Sequence, residues 1–504
     1  MNRTGRGTGD GPGPGGDAAT GRALAEQLLD GCAAAVPSPG AGPDVWLAFA
    51  EEVRSRAHSG RPLPVPAPPA LRLCHPRGWI REAALAEPDA PVELVSVLTT
   101  DWAAPVRDRA RALMEDSLRA HPDATLRAVT PLALRLGRRH RGDWLLERFE
   151  DALRRQAAAA APWWHLPGPT TAPGGTTAPG SAAAPGGTTA RVLAALLDGS
   201  DRQARQFAVR LALTGPGRAD ALQCARRAAA ESDPATAALW TDAALAAPGT
   251  GGDAVIDVLI GARIPAVRAA GVTALRRAGR AAEGALHLAD RSGLVRACAR
   301  WLVGQDGGDA HAHYRWLVCD PAGPSPYAVA GLAECGRDED TGLLRGLVAH
   351  PVGPVRAAAL AGLRRREAVV EDSVLLALLD DPAPSVTREA SLALLPVAGH
   401  LDPSYLAERL TVRGPLHVRR AAFRLLRARG GIHALRAAVA LIDDWHPRTR
   451  TTARAAVLAC QWHPAQFDGE ADTAELAALL KRSAKLFDDY GLGLRRGRLG
   501  GGKT

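Results

Sequence analysis

Lysine is nearly absent from this chain. It occurs only at Lys481, Lys485 and Lys503, so three of the 62 basic residues are lysines and 59 are arginines. Asn2 is the single asparagine. Coding in a GC-rich bacterial genome produces such a skew, and it discounts the net charge of +9 as a sign of nucleic-acid binding. Aromatic residues make up 4% of the chain against 46% hydrophobic residues in all. The core must therefore be built mainly from Ala, Leu and Val, a mixture that favours helices over sheets.

Other absences narrow the function. The seven cysteines (Cys32, Cys74, Cys224, Cys298, Cys319, Cys335, Cys460) form no CxxC pair, which suits reduced, buried thiols better than a disulfide framework. No uninterrupted apolar run is long enough to span a bilayer, so no membrane contact is expected. The start, MNRTGRGTGDGPGPGGD, has no apolar segment of the secretory type, and a cytoplasmic location is expected. No G-x-S-x-G, H-E-x-x-H or Cys–His signature appears. Neither catalysis, a cofactor nor a metal is expected.

Composition divides the chain. Residues 1–20 are rich in Gly and Pro and read as a disordered tail. A small helical segment, 21–60, ends at the proline-rich linker 61–70. A first helical block covers 71–156, and a Thr/Ala/Pro/Gly linker, 157–190, is too poor in large apolar groups to fold. The main helical array is 191–487, and 488–504 reads as a flexible basic tail.

One phrase recurs within the helical blocks. Residues 350–363 read HPVGPVRAAALAGL: a turn, then Val-Arg, then a small residue four places after the valine and an aliphatic one eight places after it. The arginine slot is filled by Arg268, Arg296, Arg356, Arg419 and Arg450, with weaker matches at Arg205, Thr236, Ala328 and Thr387, at spacings of 28 to 32 residues. Arg81 and Arg107 repeat it in the first block. Val355, Ala359 and Leu363 share one helical face, as do Val386, Ala390 and Leu394. Pro just inside a helix start loses no intrahelical hydrogen bond, so the His-Pro and Asp-Pro pairs punctuate helix starts. A period near 31 residues predicts an all-α chain folded as an α-solenoid of stacked antiparallel helix pairs.

The pattern D/H-P-x-x-x-V-R-x-x-A-x-x-x-L, best seen at 350–363 and 381–394, resembles HEAT-like repeats of the short bacterial kind also found in phycobilin lyases. The resemblance covers about 200–460 well and 71–118 more loosely. It implies that the arginine of the phrase bonds the turn of an adjacent repeat, a role that would fall to Arg268, Arg296, Arg356, Arg419 and Arg450. Thr236, Ala328 and Thr387 would interrupt such a ladder.

Between 409 and 436 lie eight arginines and no acidic residue. Arg420, Arg424 and Arg427 fall at i, i+4 and i+7, one stripe of a helix, and Arg138 and Arg139 belong to a second basic cluster, RLGRRHRG. These five are the candidate binding residues for an acidic partner. The expected function is a non-catalytic scaffold for a protein partner. Phosphate-backbone binding is the alternative, and a phycobilin-lyase-like enzyme or chaperone is a weaker one that rests on the resemblance. Trp301, Trp316 and Trp445 are possible partner anchors, although burial in the core is the expectation for each. GRLGGGKT at 497–504 matches a phosphate-binding loop in letters, but the chain printed here offers no helix after it to present amides. His311, His313 and Cys319 do not converge on one helix face and are expected to be core or surface residues. Asp443, Asp444, His446 and His463 sit beside turn prolines and are expected to cap helices.

Overall fold

Among the described residues of the computed structural model (14–32, 34–159, 188–199, 201–214, 219–246, 252–320, 323–411, 414–467 and 472–500), the regular elements are helices and no strand occurs. The chain is all-α, and none of these helices is long and apolar enough to cross a membrane. It divides into two units, Met1–Ala274 and Leu275–Thr504. That boundary lies inside the 191–487 array rather than at the 157–190 linker. Most of that linker, like residues 1–13, lies outside the described residues. Two segments expected to be tails are partly helical: one helix is Pro14–Leu29 and another is Asp489–Gly500.

Several repeats start the same way. A histidine or aspartate side chain accepts the N–H two residues on: Asp101 from Ala103 at 2.9 Å, Asp381 from Ala383 at 2.8 Å, Asp444 from His446 at 2.8 Å, and His350 Nδ1 from Val352 at 3.1 Å. This closes the turn that feeds the helix. Proline then occupies the first turn of the helices Ala104–Ala120, Gly353–Arg365, Pro384–Ala393 and Pro447–Ala459.

The valine, the small residue and the aliphatic residue of the phrase all face inward. Val355, Ala359 and Leu363 are fully buried, and so are Val386, Ala390 and Leu394. Val106, Ala110 and Met114 do the same in the first unit. The small middle residue matters because a neighbouring helix lies against it. At Gly271 a Cβ would sit 2.9 Å from the Ile260 nitrogen, and at Gly331 only 2.1 Å from the Tyr314 ring. Tyr314 is itself pinned, its hydroxyl donating to the Leu288 carbonyl at 2.8 Å.

Several successive phrase helices pack against one another, which makes the packing repeat-like. In the second unit Pro326–Cys335 touches Gly353–Arg365, which touches Pro384–Ala393, which touches Leu416–Arg429. In the first unit Arg202–Thr214, Pro234–Ala246 and Pro265–Ala274 form a similar row, and the intervening helices Ala221–Ala230 and Gly252–Ile260 touch each other alongside it.

The phrase arginines run across these rows. Six residues back along its own chain, each finds the carbonyl of its turn: Arg81 to His75 at 2.6 Å, Arg107 to Asp101 at 3.1 Å, Arg268 to Ala262 at 3.0 Å, Arg296 to Asp290 at 2.8 Å, Arg356 to His350 at 2.8 Å and Arg450 to Asp444 at 3.0 Å. Arg419 reaches Gly414, five back, at 3.2 Å. Several also reach forward to the next turn. Arg81 binds Asp101 at 2.8 Å, Arg356 binds Asp381 through two bonds of 2.7 and 3.0 Å, and Arg419 binds Asp444 at 2.7 Å. Arg296 instead reaches Glu334. At Thr387 the backward bond survives, hydroxyl to Asp381 carbonyl at 3.2 Å, but the short side chain makes no bond to a following turn among the described residues.

Replacing Val355 by aspartate places an unpaired charge in this interior and is expected to lower stability by about 3 kcal/mol or more. A thermal or denaturant melt checks it, and an unshifted midpoint would contradict the placement of the valine.

Candidate arginine groove

The basic run between 409 and 436 separates, in three dimensions, into arginines that bind carboxylates or backbone carbonyls and arginines that line an open groove. Arg409 binds Asp380 at 2.6 Å, Arg419 is buried on Asp444, Arg429 donates to the carbonyls of Gly399 and Leu401 at 2.6 and 2.8 Å, and Arg436 binds Glu475. Arg413 lies outside the described residues. Arg420, Arg424 and Arg427 remain, and the structure brings them together. With Phe423, Ala428, Arg448, Thr449 and Thr452 they line a groove of about 380 Å³ between the Leu416–Arg429 and Pro447–Ala459 helices.

The groove carries four guanidinium groups and no carboxylate on its walls. Arg420, Arg427 and Arg448 are exposed, and none has a carboxylate partner among the described residues. Arg424 is half-buried and donates to the Ser391 hydroxyl. Burial, followed by repulsion from Arg388 and Arg420, moves its pKa below the ordinary arginine value, and Glu389 offsets only part of that. Glu389 is itself engaged by Arg364, at 3.0 Å, and by Arg388. The buried Phe423 ring lies beneath the Arg427 guanidinium, 5.9 Å from its centroid. Such a site suits a compact anion, because Arg420, Arg427 and Arg448 have no carboxylate partner among the described residues.

Arg448 and Arg388 were not among the residues singled out by spacing. Arg448 comes from the next repeat and Arg388 from the preceding one, and a stripe search along one helix cannot join them. Arg138 and Arg139 belong to the first unit and are exposed. Arg139 lines a separate cleft of about 740 Å³ with Arg54, His58, Glu51 and Trp102, and Arg138 is not part of that lining.

Two expectations need correction. Trp301, Trp316 and Trp445 are 41%, 65% and 59% exposed, not packed in the core. Trp301 stands six residues after the buried Val295, about 240° round the helix and so off its inner face. Trp316 is two places after the buried Tyr314, and Trp445 sits in a turn, with the Arg419 guanidinium 5.7 Å from its ring centroid. The cysteines are not uniformly buried: Cys32 and Cys319 are exposed, while burial pushes the Cys74 thiol up to about 12 and the Cys224 thiol up to about 11.

His311 is buried with its Nε2 2.7 Å from Asp340, whereas His313 is half-buried and Cys319 exposed. Glu339 also lies near, but Arg315 already engages both carboxylates, Asp340 at 2.9 Å and Glu339 at 3.4 Å. Asp444 and His446 are turn and cap residues: the His446 ring accepts from the Thr449 N–H at 3.4 Å. His463 accepts from the Ala465 N–H at 3.2 Å. Residues 497–500 of the GRLGGGKT match are the end of a helix, and 501–504 lie outside the described residues.

No family model matches the sequence, and no curated protein matches it. Among solved structures, a crystal structure of an engineered protein aligns with 95% of this chain and 98% of its own, at 15% identity and a TM-score of 0.24. A likeness that weak carries no argument about fold or function.

Two neighbouring arginines test the sorting. Arg419→Met leaves Asp444 buried without its counter-charge and is expected to cost about 3–5 kcal/mol. Arg420→Met, one residue on but exposed, is expected to stay within about 0.5 kcal/mol of the parent. Equal losses in chemical denaturation would contradict the division.

Proposed function

We propose that this chain is a non-catalytic scaffold of HEAT-like helical repeats, each unit an α-solenoid of stacked helix pairs, and that it binds an acidic protein partner. The HEAT-like reading draws support from the shared burial of the phrase residues, the row-on-row helix packing and the arginines that clasp the following turn. It is the arginine groove, four guanidinium groups with no acidic wall, that carries the functional part. Exposed aromatic residues are common at partner-binding surfaces, and Trp316 and Trp445 in the same unit are available to one.

Nucleic-acid backbone binding draws on the same arginines. A duplex, however, presents phosphates as an extended row, and the positive charge here converges on one compact depression. The lyase-like reading rests on the sequence resemblance alone.

The test compares retention of poly-glutamate and of a short DNA duplex on the immobilised full chain, with and without Arg420→Glu, Arg424→Glu and Arg427→Glu together. The proposal expects poly-glutamate to be held, weakened by salt and lost in the triple variant, with its circular dichroism unchanged. Retention of the duplex alone, falling with salt at a log–log slope of about −0.9 per neutralised phosphate, would replace it with the nucleic-acid reading.

A further inference from the structure

The shape and charge of the groove say more than that its ligand is acidic. Arg420, Arg424 and Arg427 project from one helix and Arg448 from the first turn of the next phrase helix, so the groups approach a common space from two sides. Behind them Arg388 also acts on Arg424, but it is paired with Glu389, so the net charge of the groove rests on its four lining guanidinium groups. A single carboxylate brings one negative charge and two oxygens, which leaves most of these guanidinium groups unmatched. A phosphate monoester brings about −1.5 to −2 charges and three strong acceptor oxygens, and guanidinium groups meet it through paired parallel hydrogen bonds.

Size points the same way. About 380 Å³ is near the lower end of the ~300–1,000 Å³ common for ligand pockets, enough for one side chain and its terminal group. The walls are not uniformly charged. Phe423, Ala428 and the carbon atoms of Thr449 and Thr452 give an apolar flank against which the stem of such a side chain packs. The Thr449 and Thr452 hydroxyls already have partners in the fold. Thr449 Oγ1 lies 3.4 Å from the His446 ring, and Thr452 donates to the Arg448 carbonyl at 2.8 Å. Anion recognition therefore falls to the guanidinium groups. The groove also lies at the start of the Pro447–Ala459 helix, whose partial positive end adds to the same field.

We propose that this groove recognises a phosphorylated side chain of the partner protein, held by Arg420, Arg424, Arg427 and Arg448. The inference rests on the acidic-partner reading above and makes it specific: binding would be switched on by phosphorylation of the partner.

The experiment passes three degenerate peptide libraries over the immobilised full chain. They are identical except for a fixed central phosphoserine, glutamate or serine, which removes dependence on any one flanking sequence. The expected result is retention of the phosphoserine library at least about tenfold above the other two, with displacement by inorganic phosphate. Arg420→Gln with Arg427→Gln, both at exposed positions, should abolish the difference while the melting profile stays that of the parent. Arg448→Lys, which keeps the charge but loses the paired donors, should reduce it. Equal retention of the phosphoserine and glutamate libraries, both lost in the double variant, would overturn this inference and leave the acidic-partner reading standing. Failure of all three libraries, together with failure to hold poly-glutamate, would remove both. Displacement by a DNA duplex but not by inorganic phosphate would also overturn it.

Discussion

A guanidinium group that closes one turn and clasps the carboxylate of the next is the interaction on which the repeat packing depends. Each such arginine sits in the first turn of a phrase helix and donates back to a carbonyl that the turn leaves without a helical partner. Where the next turn begins with aspartate, the same side chain also reaches forward. Asp101, Asp381 and Asp444 are then held on three sides: their carboxylates accept a local N–H and the preceding arginine, and their carbonyls accept the side chain of the following phrase. Lysine would do this less well, since an ammonium has no planar fork to hold a carboxylate through two parallel bonds while also donating to a carbonyl. The near-absence of lysine is thus compatible with the architecture, whatever its origin in coding.

This interaction also sorts the charge. Arg81, Arg356 and Arg419, which stitch turns, are each paired with a buried aspartate, and they contribute little to the field at the surface. The groove arginines belong to the same helices but point elsewhere. Arg419 and Arg420 are adjacent in sequence, and one is buried on Asp444 while the other is exposed beside the groove. The net positive charge of the chain is therefore a poor guide to function, and the local charge without a partner is a better one.

Much of the fold was legible because it obeys a helical period. Val355, Ala359 and Leu363 could be assigned to one buried face from their offsets of four and eight, and His-Pro and Asp-Pro marked helix starts. The start of the helix Pro14–Leu29, before residue 21, and the helix Asp489–Gly500 were hidden by their glycine content, which masks local helical preference. In the groove, Arg420, Arg424 and Arg427 were visible as a stripe, whereas Arg448 and Phe423 were not. Arg448 joins them through packing between repeats, and Phe423 carries no charge that a search for basic stripes could find. The resemblance implied that these arginines reach the turn of an adjacent repeat, but the particular partner was hidden by distance along the chain, since Asp381 lies 25 residues beyond Arg356. The tryptophans misled because bulk and apolarity suggest burial, while their places on the helix or in a turn decide it.

The most direct test of the account is a double-mutant cycle on the link between one repeat and the next. Arg356→Met, Asp381→Asn and the double variant are compared with the parent by equilibrium denaturation. The account predicts a coupling energy above about 1 kcal/mol, because the two side chains share a half-buried, two-bond contact across the repeat boundary. Strictly additive losses would show that the arginine and the aspartate act independently, and the turn-to-turn clasp would not be what holds the repeats in register.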